Sequence, residues 1–444
     1  MNRTAGILTL GCKVNQYESE AIAEALSSHG ILMRSPSDVC DIYIINTCTV
    51  TAESDRKARQ FIRRALSRNP SAFVLVTGCL AQANASGIAD IPGVDFICGN
   101  RNKMAVVEAV LRLCHQGTKE PHPIINIPSL EGAGFEKMSI RHFGRTRAYI
   151  KIEDGCESHC TYCIIPAARG HIRSKPMQAV LDEVRCLTEN GCREVVLTGI
   201  ETASWGRETK EADLADLLEA VDRIPSIGRV RLGSLDPTIM RPAFVDRIAK
   251  LPSLAPHFHL SMQSGSDSVL ARMKRKYNST QALSAITRLK EAIPHVQLTT
   301  DIIVGFPGET EEDFEATMEF ARKARFLMIH VFPYSKRQGT PAASMPDQIP
   351  NEIKKQRVAR LSALASEIRA EILKEKIKEN QPVSVLFETW QNGVAVGHTP
   401  DFIEVHVPSP VSLHAQTCTV RLVAPAPDGV GCLGERMDEE GEQR

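Results

Sequence analysis

From residue 5 to about 112, short runs of branched apolar residues alternate with stretches of helical period. The runs fall at 6–10, 41–46, 73–77 and 94–97, and the helical stretches at about 18–28, 53–68 and 102–113. Apolar runs of strand length, each followed by three- to four-residue periodicity, mark βα units on a parallel sheet. Residues 114–143 break the rhythm with Pro121, Pro123, Pro128, Gly132 and Gly134, which predicts a linker or a partly extended connection. The alternation restarts near Arg147, with strands expected at 148–152, 194–198, 230–233, 257–262, 297–304 and 327–332. Helices are expected between them at 176–189, 214–223, 279–292 and 311–324.

The chain is therefore of α/β class. The first set of units reads as a small three-layer domain of flavodoxin-like kind, and the six units of the second set predict a parallel barrel, partial or complete. A long amphipathic helix follows at 351–379, with Val358, Leu361, Leu364, Ile368 and Ile372 as its buried stripe, and Pro382 stops it. Beyond it Val383, Val385 and Phe387, then Ile403, Val405 and Val407, alternate with period two. With Gly393 and Gly397 as turn points, a small antiparallel β-barrel is expected, and the closing MDEEGEQR reads as a solvated tail. The expected division is 1–115, a linker at 116–143, 144–375 and 376–440.

Composition narrows the function. Of 444 residues 43% are apolar and 24% charged, which excludes a disordered, collagenous or coiled-coil chain. The 53 Lys and Arg balance 53 Asp and Glu, so any nucleic-acid site must be a local patch. No apolar run approaches the roughly 20 residues of a membrane helix, and the opening MNRTAGILTLGCKVN lacks the pattern of a signal peptide. A cytoplasmic location is expected. The 13 cysteines are an odd number, which argues against a disulfide framework and points to metal binding, catalysis or core filling.

Position separates these roles. Cys156, Cys160 and Cys163 lie on one loop directly after a strand, in the run CESHCTYC. Three thiolates so spaced can hold three irons of a 4Fe-4S cubane and leave the fourth open to an exogenous ligand. The competing reading is a zinc knuckle, which wants a fourth Cys or His at its own spacing. A second set emerges when strand ends are marked: Cys12, Cys48 and Cys79 follow the first three strands, in LTLGC, IINTC and LVTGC. The strands of an open parallel sheet share one carboxyl rim, where ligands bind, so the three thiols are expected to gather there. Cys98, after the fourth strand, competes for one place; Cys40, Cys114, Cys186, Cys192, Cys418 and Cys432 share no geometry and read as structural.

These blocks resemble the radical S-adenosylmethionine methylthiotransferase family. GCKVNQYESE, NTCTVT and TGCLAQ are similar to the three blocks of its N-terminal domain, and DGCESHCTYCIIPAARG to its cluster loop. SMQSGSDSVLARMKRKY, TTDIIVGFPGETEEDF and HVFPYSKRQGTPA resemble blocks of its barrel, and the closing barrel resembles a TRAM domain of OB-like form. The opening block and FPYSKRQGTPA look most like the MtaB branch. The resemblance implies sulfur and methyl insertion at carbon 2 of N6-threonylcarbamoyladenosine at tRNA position 37. It implies one 4Fe-4S cluster on Cys156, Cys160 and Cys163, whose open iron takes S-adenosylmethionine, and an auxiliary 4Fe-4S cluster on Cys12, Cys48 and Cys79. Strand-end positions and the resemblance together suggest cofactor contacts from Tyr162, Gly199, Glu201, Ser234, Asp236, Gln263, Gly305, Phe306 and Pro307. Ser266-Asp267 and Glu309-Thr310 look like helix caps.

RNA contacts are expected from two basic runs, Arg272, Lys274, Arg275 and Lys276 after the fourth barrel strand, and Lys354, Lys355, Arg357 and Arg360 on the long helix. The partner implied is the anticodon stem-loop of a tRNA bound to a monomer, with a reductant for the cluster and a sulfur donor the sequence does not identify. The same chemistry on N6-isopentenyladenosine of tRNA or on a ribosomal-protein aspartate stays open, as does a non-catalytic RNA-binding metalloprotein.

Overall fold

The computed structural model describes residues 3–119 and 121–437, so all but the first residue of the expected tail lies outside the described residues. The first unit runs β1 (Thr4–Thr9), α1 (Lys13–Ser28), β2 (Leu32–Arg34), β3 (Ile42–Thr47), α2 (Ala52–Arg68), β4 (Phe73–Gly78), α3 (Cys79–Ala83), α4 (Ala85–Ala89), β5 (Phe96–Cys98), α5 (Ala105–Gln116) and β6 (Ile124–Asn126). The strands form one parallel sheet in the order β2-β1-β3-β4-β5-β6. The central β3 and β4, IYIINT and FVLVTG, are buried throughout, as strands covered on both faces must be. Two apolar clusters, one around Ile22, Ile44 and Val106 and one around Ile45, Ile62 and Val76, cover the two faces. Helix α2 begins at a Thr51 cap that accepts from the Ser54 amide, with Glu53 and Asp55 in its first turn. The stretch read as a linker carries the edge strand β6, which pairs in parallel with β5 through Ile124–Asn126.

The second unit runs β7 (Arg147–Lys151), β8 (Glu153–Asp154), α6 (Ile165–Arg169), β9 (Arg173–Ser174), α7 (Met177–Glu189), β10 (Glu194–Thr198), α8 (Leu214–Asp222), β11 (Arg229–Leu232), β12 (Ser234–Leu235), α9 (Pro242–Ile248), β13 (His257–Gln263), α10 (Asp267–Arg272), α11 (Ser279–Ala292), β14 (Gln297–Val304), α12 (Glu311–Ala324), β15 (Met328–Pro333) and α13 (Asn351–Glu379). Parallel pairing gives β7-β10-β11 and β12-β13-β14-β15, and the chain passes directly from β11 to β12 through Gly233. Among the described residues no pairing joins β7 to β15, so the barrel is partial and open on that side. Alternation decides what its concave face carries. Phe258, Leu260, Met262, Leu298, Ile302 and Val304 are buried in the core with residues of α11 and α12. His257, His259, Thr299, Asp301 and His330 therefore point to the lumen, while the register of β13 shifts between Leu260 and Gln263.

The long helix buries Leu361, Leu364, Ile368 and Ile372, as its period predicts. The strands β16 (Pro382–Gln391), β17 (Val394–His398), β18 (Glu404–Pro408), β19 (Thr417–Pro425) and β20 (Cys432–Arg436) close in the order β16-β17-β18-β20-β19. All pairs are antiparallel except β18 with β20, so the barrel expected to be antiparallel contains one parallel pair, in the OB-fold order. Gly393 turns the β16–β17 hairpin, but Gly397, expected at a turn, lies inside β17. A side chain there would stand 2.3 Å from the Leu386 carbonyl oxygen.

Candidate active site

The carboxyl rim of the first sheet gathers Cys12, Cys48 and Cys79. Cys12 caps α1, Cys48 follows β3 and Cys79 opens α3. Gly11, at φ +99, leaves room for Cys48: a Cβ on it would stand 2.8 Å from the Cys48 Sγ. Gly78, at φ +100, would drive a Cβ to 2.3 Å from the Thr47 carbonyl oxygen. These two glycines let adjacent strand ends approach each other closely. The thiols influence one another electrostatically: Cys12 and Cys79 raise the Cys48 pKa, and Cys79 raises that of Cys12. Cys98 stands apart. It is buried among Phe96, Val106 and Val110, and its thiol donates to the Asn102 carbonyl oxygen at 3.0 Å.

The second trio lines a cleft of about 460 Å³, together with Glu157, His159, Pro166 and Lys274. Cys156 donates to Glu201 Oε2 at 3.2 Å, and Ser158 Oγ to Glu201 Oε1 at 3.1 Å. Arg275 Nη1 lies 3.3 Å from the Cys160 Sγ. The two trios adjoin: Asn100 Nδ2 lies 3.5 Å from the Cys79 Sγ and donates at 2.8 Å to the carbonyl oxygen of Ala168, on the helix that follows the Cys163 loop. His159, at φ +47, turns the loop, and His171 is exposed against Glu157 at 3.3 Å.

The donor sets suit clusters and not a single ion. A zinc ion holds each thiolate at about 2.3 Å and would draw the sulfurs to roughly 3.8 Å of one another. Among the described residues, only His259–Asp301–His330 and Glu404–His406–Asp428 bring three ligand atoms within 4.8 Å, and neither thiol trio does. Two wider soft-donor sets, one on a roomy cleft, fit the larger body of an iron–sulfur cubane.

Burial disfavours the thiolate at four of these thiols. It pushes Cys48 up to about 12 and Cys163 up to about 11, and raises Cys156 and Cys12. Ligation requires thiolate, so each thiol must lose its proton as iron enters. Loading with iron and sulfide is therefore expected to rise from about pH 7 to about pH 9. Iron bound per chain measures it, and a flat profile contradicts the burial argument.

The other expected cofactor residues divide. Glu201 stands over the cluster loop; Gly199 lets Glu153 approach, where a Cβ would meet its Oε2 at 2.5 Å. Ser234 and Gln263 are part-exposed at the ends of β12 and β13, and Gln263 takes φ +65. Asp236 is committed to the Thr238 amide and to Arg275 at 2.8 Å. Tyr162 packs against a small cluster with Phe306 and Tyr334, and Pro307 is buried. Gly305 makes room for the Lys354 stem, whose Cγ would lie 2.4 Å from a Cβ there. Ser266 and Thr310 are caps as expected.

The basic runs divide: Lys354 and Arg357 are buried, Arg272 and Arg275 are half-buried, and Lys276 and Arg360 are exposed but have polar partners. Lys354 donates to the Tyr334 carbonyl oxygen at 3.1 Å and Arg357 to Glu309 at 2.7 Å, both buried. Arg272 pairs with Asp313, Arg275 with Asp236, Lys276 Nζ lies 3.4 Å from Ser158 Oγ, and Arg360 pairs with Glu311. Lys274 and Lys355 are exposed. A cationic face that sequence reading missed lies on α2, where Arg56, Arg59, Arg63 and Arg64 line a groove of about 470 Å³.

Sequence reading also missed a buried ionic network behind the thiols. Arg169, fully buried, places Nε 3.4 Å from the Cys79 Sγ, donates from Nη1 to Glu18 at 2.8 Å and to Asp154 at 3.1 Å, and from Nη2 to Asn15. Lys103 meets Glu18 at 2.6 Å, Lys151 meets Glu18 at 3.0 Å and Arg173 meets Asp154 at 3.4 Å. Burial works to raise the Glu18 pKa, yet Arg169, Lys103 and Lys151 hold it well below the usual carboxylate range.

A partial parallel barrel with a three-cysteine loop after its first strand defines a radical S-adenosylmethionine enzyme, and residues 150–321 match the Radical SAM superfamily. Residues 4–99 match Uncharacterized protein family UPF0004. The chain is 39% identical over 408 residues to threonylcarbamoyladenosine tRNA methylthiotransferase MtaB of Bacillus subtilis, covering 90% of each chain. It is 38% identical to the Thermotoga maritima protein of that name, over 85% of this chain and 82% of the relative. It is 36% identical to tRNA-2-methylthio-N(6)-dimethylallyladenosine synthase of Pelotomaculum thermopropionicum, over 85% and 86%. The chain belongs to the radical S-adenosylmethionine tRNA methylthiotransferase family. The fold is shared with the radical S-adenosylmethionine methyltransferase TsrM of Kitasatospora setae, with a TM-score of 0.56, 16% identity and 77% of each chain covered.

Proposed function

We propose that this enzyme converts N6-threonylcarbamoyladenosine at tRNA position 37 to its 2-methylthio derivative, with two 4Fe-4S clusters and S-adenosylmethionine. The observation that carries the reading is the adjacency of two three-thiol sets: Arg169, on the helix that follows the Cys156–Cys163 loop, places its Nε 3.4 Å from the Cys79 Sγ, and Asn100 Nδ2 joins that sulfur, at 3.5 Å, to the Ala168 carbonyl oxygen, at 2.8 Å. When bound, the clusters and S-adenosylmethionine supply one-electron reduction, a radical able to attack an aromatic C–H, and the sulfur and methyl groups.

Cys156, Cys160 and Cys163 would hold the cluster at the cleft, and Cys12, Cys48 and Cys79 the auxiliary one. Glu201, fixed by Ser158 and by its own amide on Glu153 at 2.7 Å, presents a carboxylate beside the cleft for the cofactor's ammonium. Tyr162, Gly199, Ser234, Gln263, Phe306 and Pro307 wall the cofactor, while Gly305 and Asp236 position Lys354 and Arg275. Arg275 places its guanidinium beside the Cys160 sulfur. The division 1–115, 144–375 and 376–440 assigns sulfur delivery, radical generation and RNA holding to successive parts. The tRNA backbone meets Lys274, Lys355 and the arginine face of α2, in a monomer acting in the cytoplasm.

Mass spectrometry of nucleosides from a strain lacking this gene decides the substrate. Loss of the 2-methylthio-threonylcarbamoyl species, restored by the gene, is expected. Its persistence, or loss of a 2-methylthio-dimethylallyl species instead, overturns the assignment.

A further inference from the structure

The concave face of the open barrel carries a polar group that the chemistry above leaves unused. His259 on β13, Asp301 on β14 and His330 on β15 stand on three neighbouring parallel strands. Asp301 is directly opposite His330 in the register, and His259 is opposite Thr299. Each occupies a lumen-facing position, so the pleat sends an imidazole, a carboxylate and a second imidazole to one place. One donor atom from each lies within 4.8 Å of the other two, and His259 Nε2 is 3.2 Å from Asp301 Oδ2. The rings of His259 and His330 are tilted, with centroids 6.0 Å apart.

This arrangement has the dimensions of a coordination sphere. Two donors held about 2.1 Å from one ion stand roughly 3.0–3.5 Å apart, and the His259–Asp301 separation falls in that range. A ligating imidazole ordinarily donates from its other nitrogen, and that partner is in place: His259 Nδ1 is 2.9 Å from Thr299 Oγ1, which leaves Nε2 turned to Asp301. A structural ion pair would account for His259 and Asp301 alone. It does not account for His330, which is exposed and makes no hydrogen bond or ion pair among the described residues, yet is brought to the same group. Desolvation lowers the His330 pKa against the pull of Asp301, and the charges of His259, Lys13 and Arg369 lower it further. Its imidazole is therefore unprotonated near neutral pH, the form that coordinates.

We propose that His259, Asp301 and His330 bind one divalent first-row transition-metal ion in the barrel lumen, of the class of zinc or iron(II), with no cysteine among its ligands. Imidazole with carboxylate is the donor set these ions take, whereas calcium and magnesium want oxygen alone. Three protein donors leave at least one coordination place for water or another oxygen ligand. The inference does not depend on which nucleoside the enzyme modifies.

The test uses the anaerobically reconstituted full chain, whose cluster-forming thiols are already occupied, equilibrated with zinc at one ion per chain and desalted. The wild type is expected to retain the zinc. X-ray absorption at the zinc edge should show nitrogen and oxygen neighbours at about 2.0–2.1 Å and no sulfur at about 2.3 Å. H330A removes an exposed side chain that the fold does not use, and samples are matched to wild-type iron content. Its zinc Kd, measured against a competing chelator, should rise by more than about 100-fold, beyond the cost of losing an outer partner. T299V keeps all three ligands and removes only the hydrogen bond behind His259, so its zinc Kd should rise about 10- to 100-fold. A wild type that retains no zinc, zinc found at the sulfur distance, or H330A binding zinc as tightly as the wild type overturns the proposal. The nucleoside assignment stands or falls on its own test.

Discussion

Cys48→Ala is expected to leave reductive cleavage of S-adenosylmethionine intact while sulfur insertion falls below about 1% of wild type, beyond the loss typical of a partner behind the ligands. Cys48 is 5% exposed, and its sulfur accepts from the Val50 amide at 3.5 Å within its own loop. The thiols of Cys156, Cys160 and Cys163 stand on a separate loop and keep Glu201 and Arg275 as neighbours in the variant. Iron per chain should drop from about eight to about four, the content of one cubane. Cys160→Ala should have the opposite signature, losing cofactor cleavage and methylthiolation together. Deoxyadenosine and methylthio-nucleoside assayed on the same samples separate the two cases; full thiolation by Cys48→Ala would remove Cys48 from the site.

The thiol sets were legible in the sequence for a definite reason. A cysteine directly after an apolar run recurs at Cys12, Cys48 and Cys79, and parallel pairing turns that linear pattern into one rim. The edges β2 and β6 escaped because three residues are too few to show a period. Charge was the least legible feature. Lys354 and Arg357 read as a basic surface, but their partners, Tyr334 and Glu309, lie 20 and 48 residues away and draw them inward. The same holds for Arg169 and Glu18, 151 residues apart, whose pairing exists only once sheet and barrel dock. The lumen residues His259, Asp301 and His330 alternate correctly with apolar neighbours, but nothing in that alternation says the barrel is open beside them.

Arg169→Met is expected to be the most damaging single change outside the ligands. The side chain is 0% exposed and joins the sheet, through Glu18, Asn15 and Cys79, to the barrel, through Asp154. Removing one partner of a buried ion pair costs about 3–5 kcal/mol, because the remaining charges cannot regain water. Lys103, Lys151, Arg169 and Arg173 face Glu18 and Asp154, with Glu136 near Lys151 pushed toward its neutral form by burial. Positive charge is therefore in surplus beside Cys12 and Cys79, where the proposed auxiliary cluster would sit. The variant should show a lower denaturation midpoint and lose auxiliary iron before the iron at Cys156, Cys160 and Cys163. Arg169→Lys keeps the charge but not the planar fork that spans four partners, so it should recover only part of the stability. Burial alone would raise the Glu18 and Asp154 pKa values, but Arg169 and its fellow cations depress them. Their contribution to stability is present above the unfolded carboxyl value and is lost as pH falls, so the gap between wild type and Arg169→Met should narrow below about pH 4. Denaturation curves of both proteins at neutral and acid pH measure it, and a gap that is absent at neutral pH would show that this network does not hold the two lobes together.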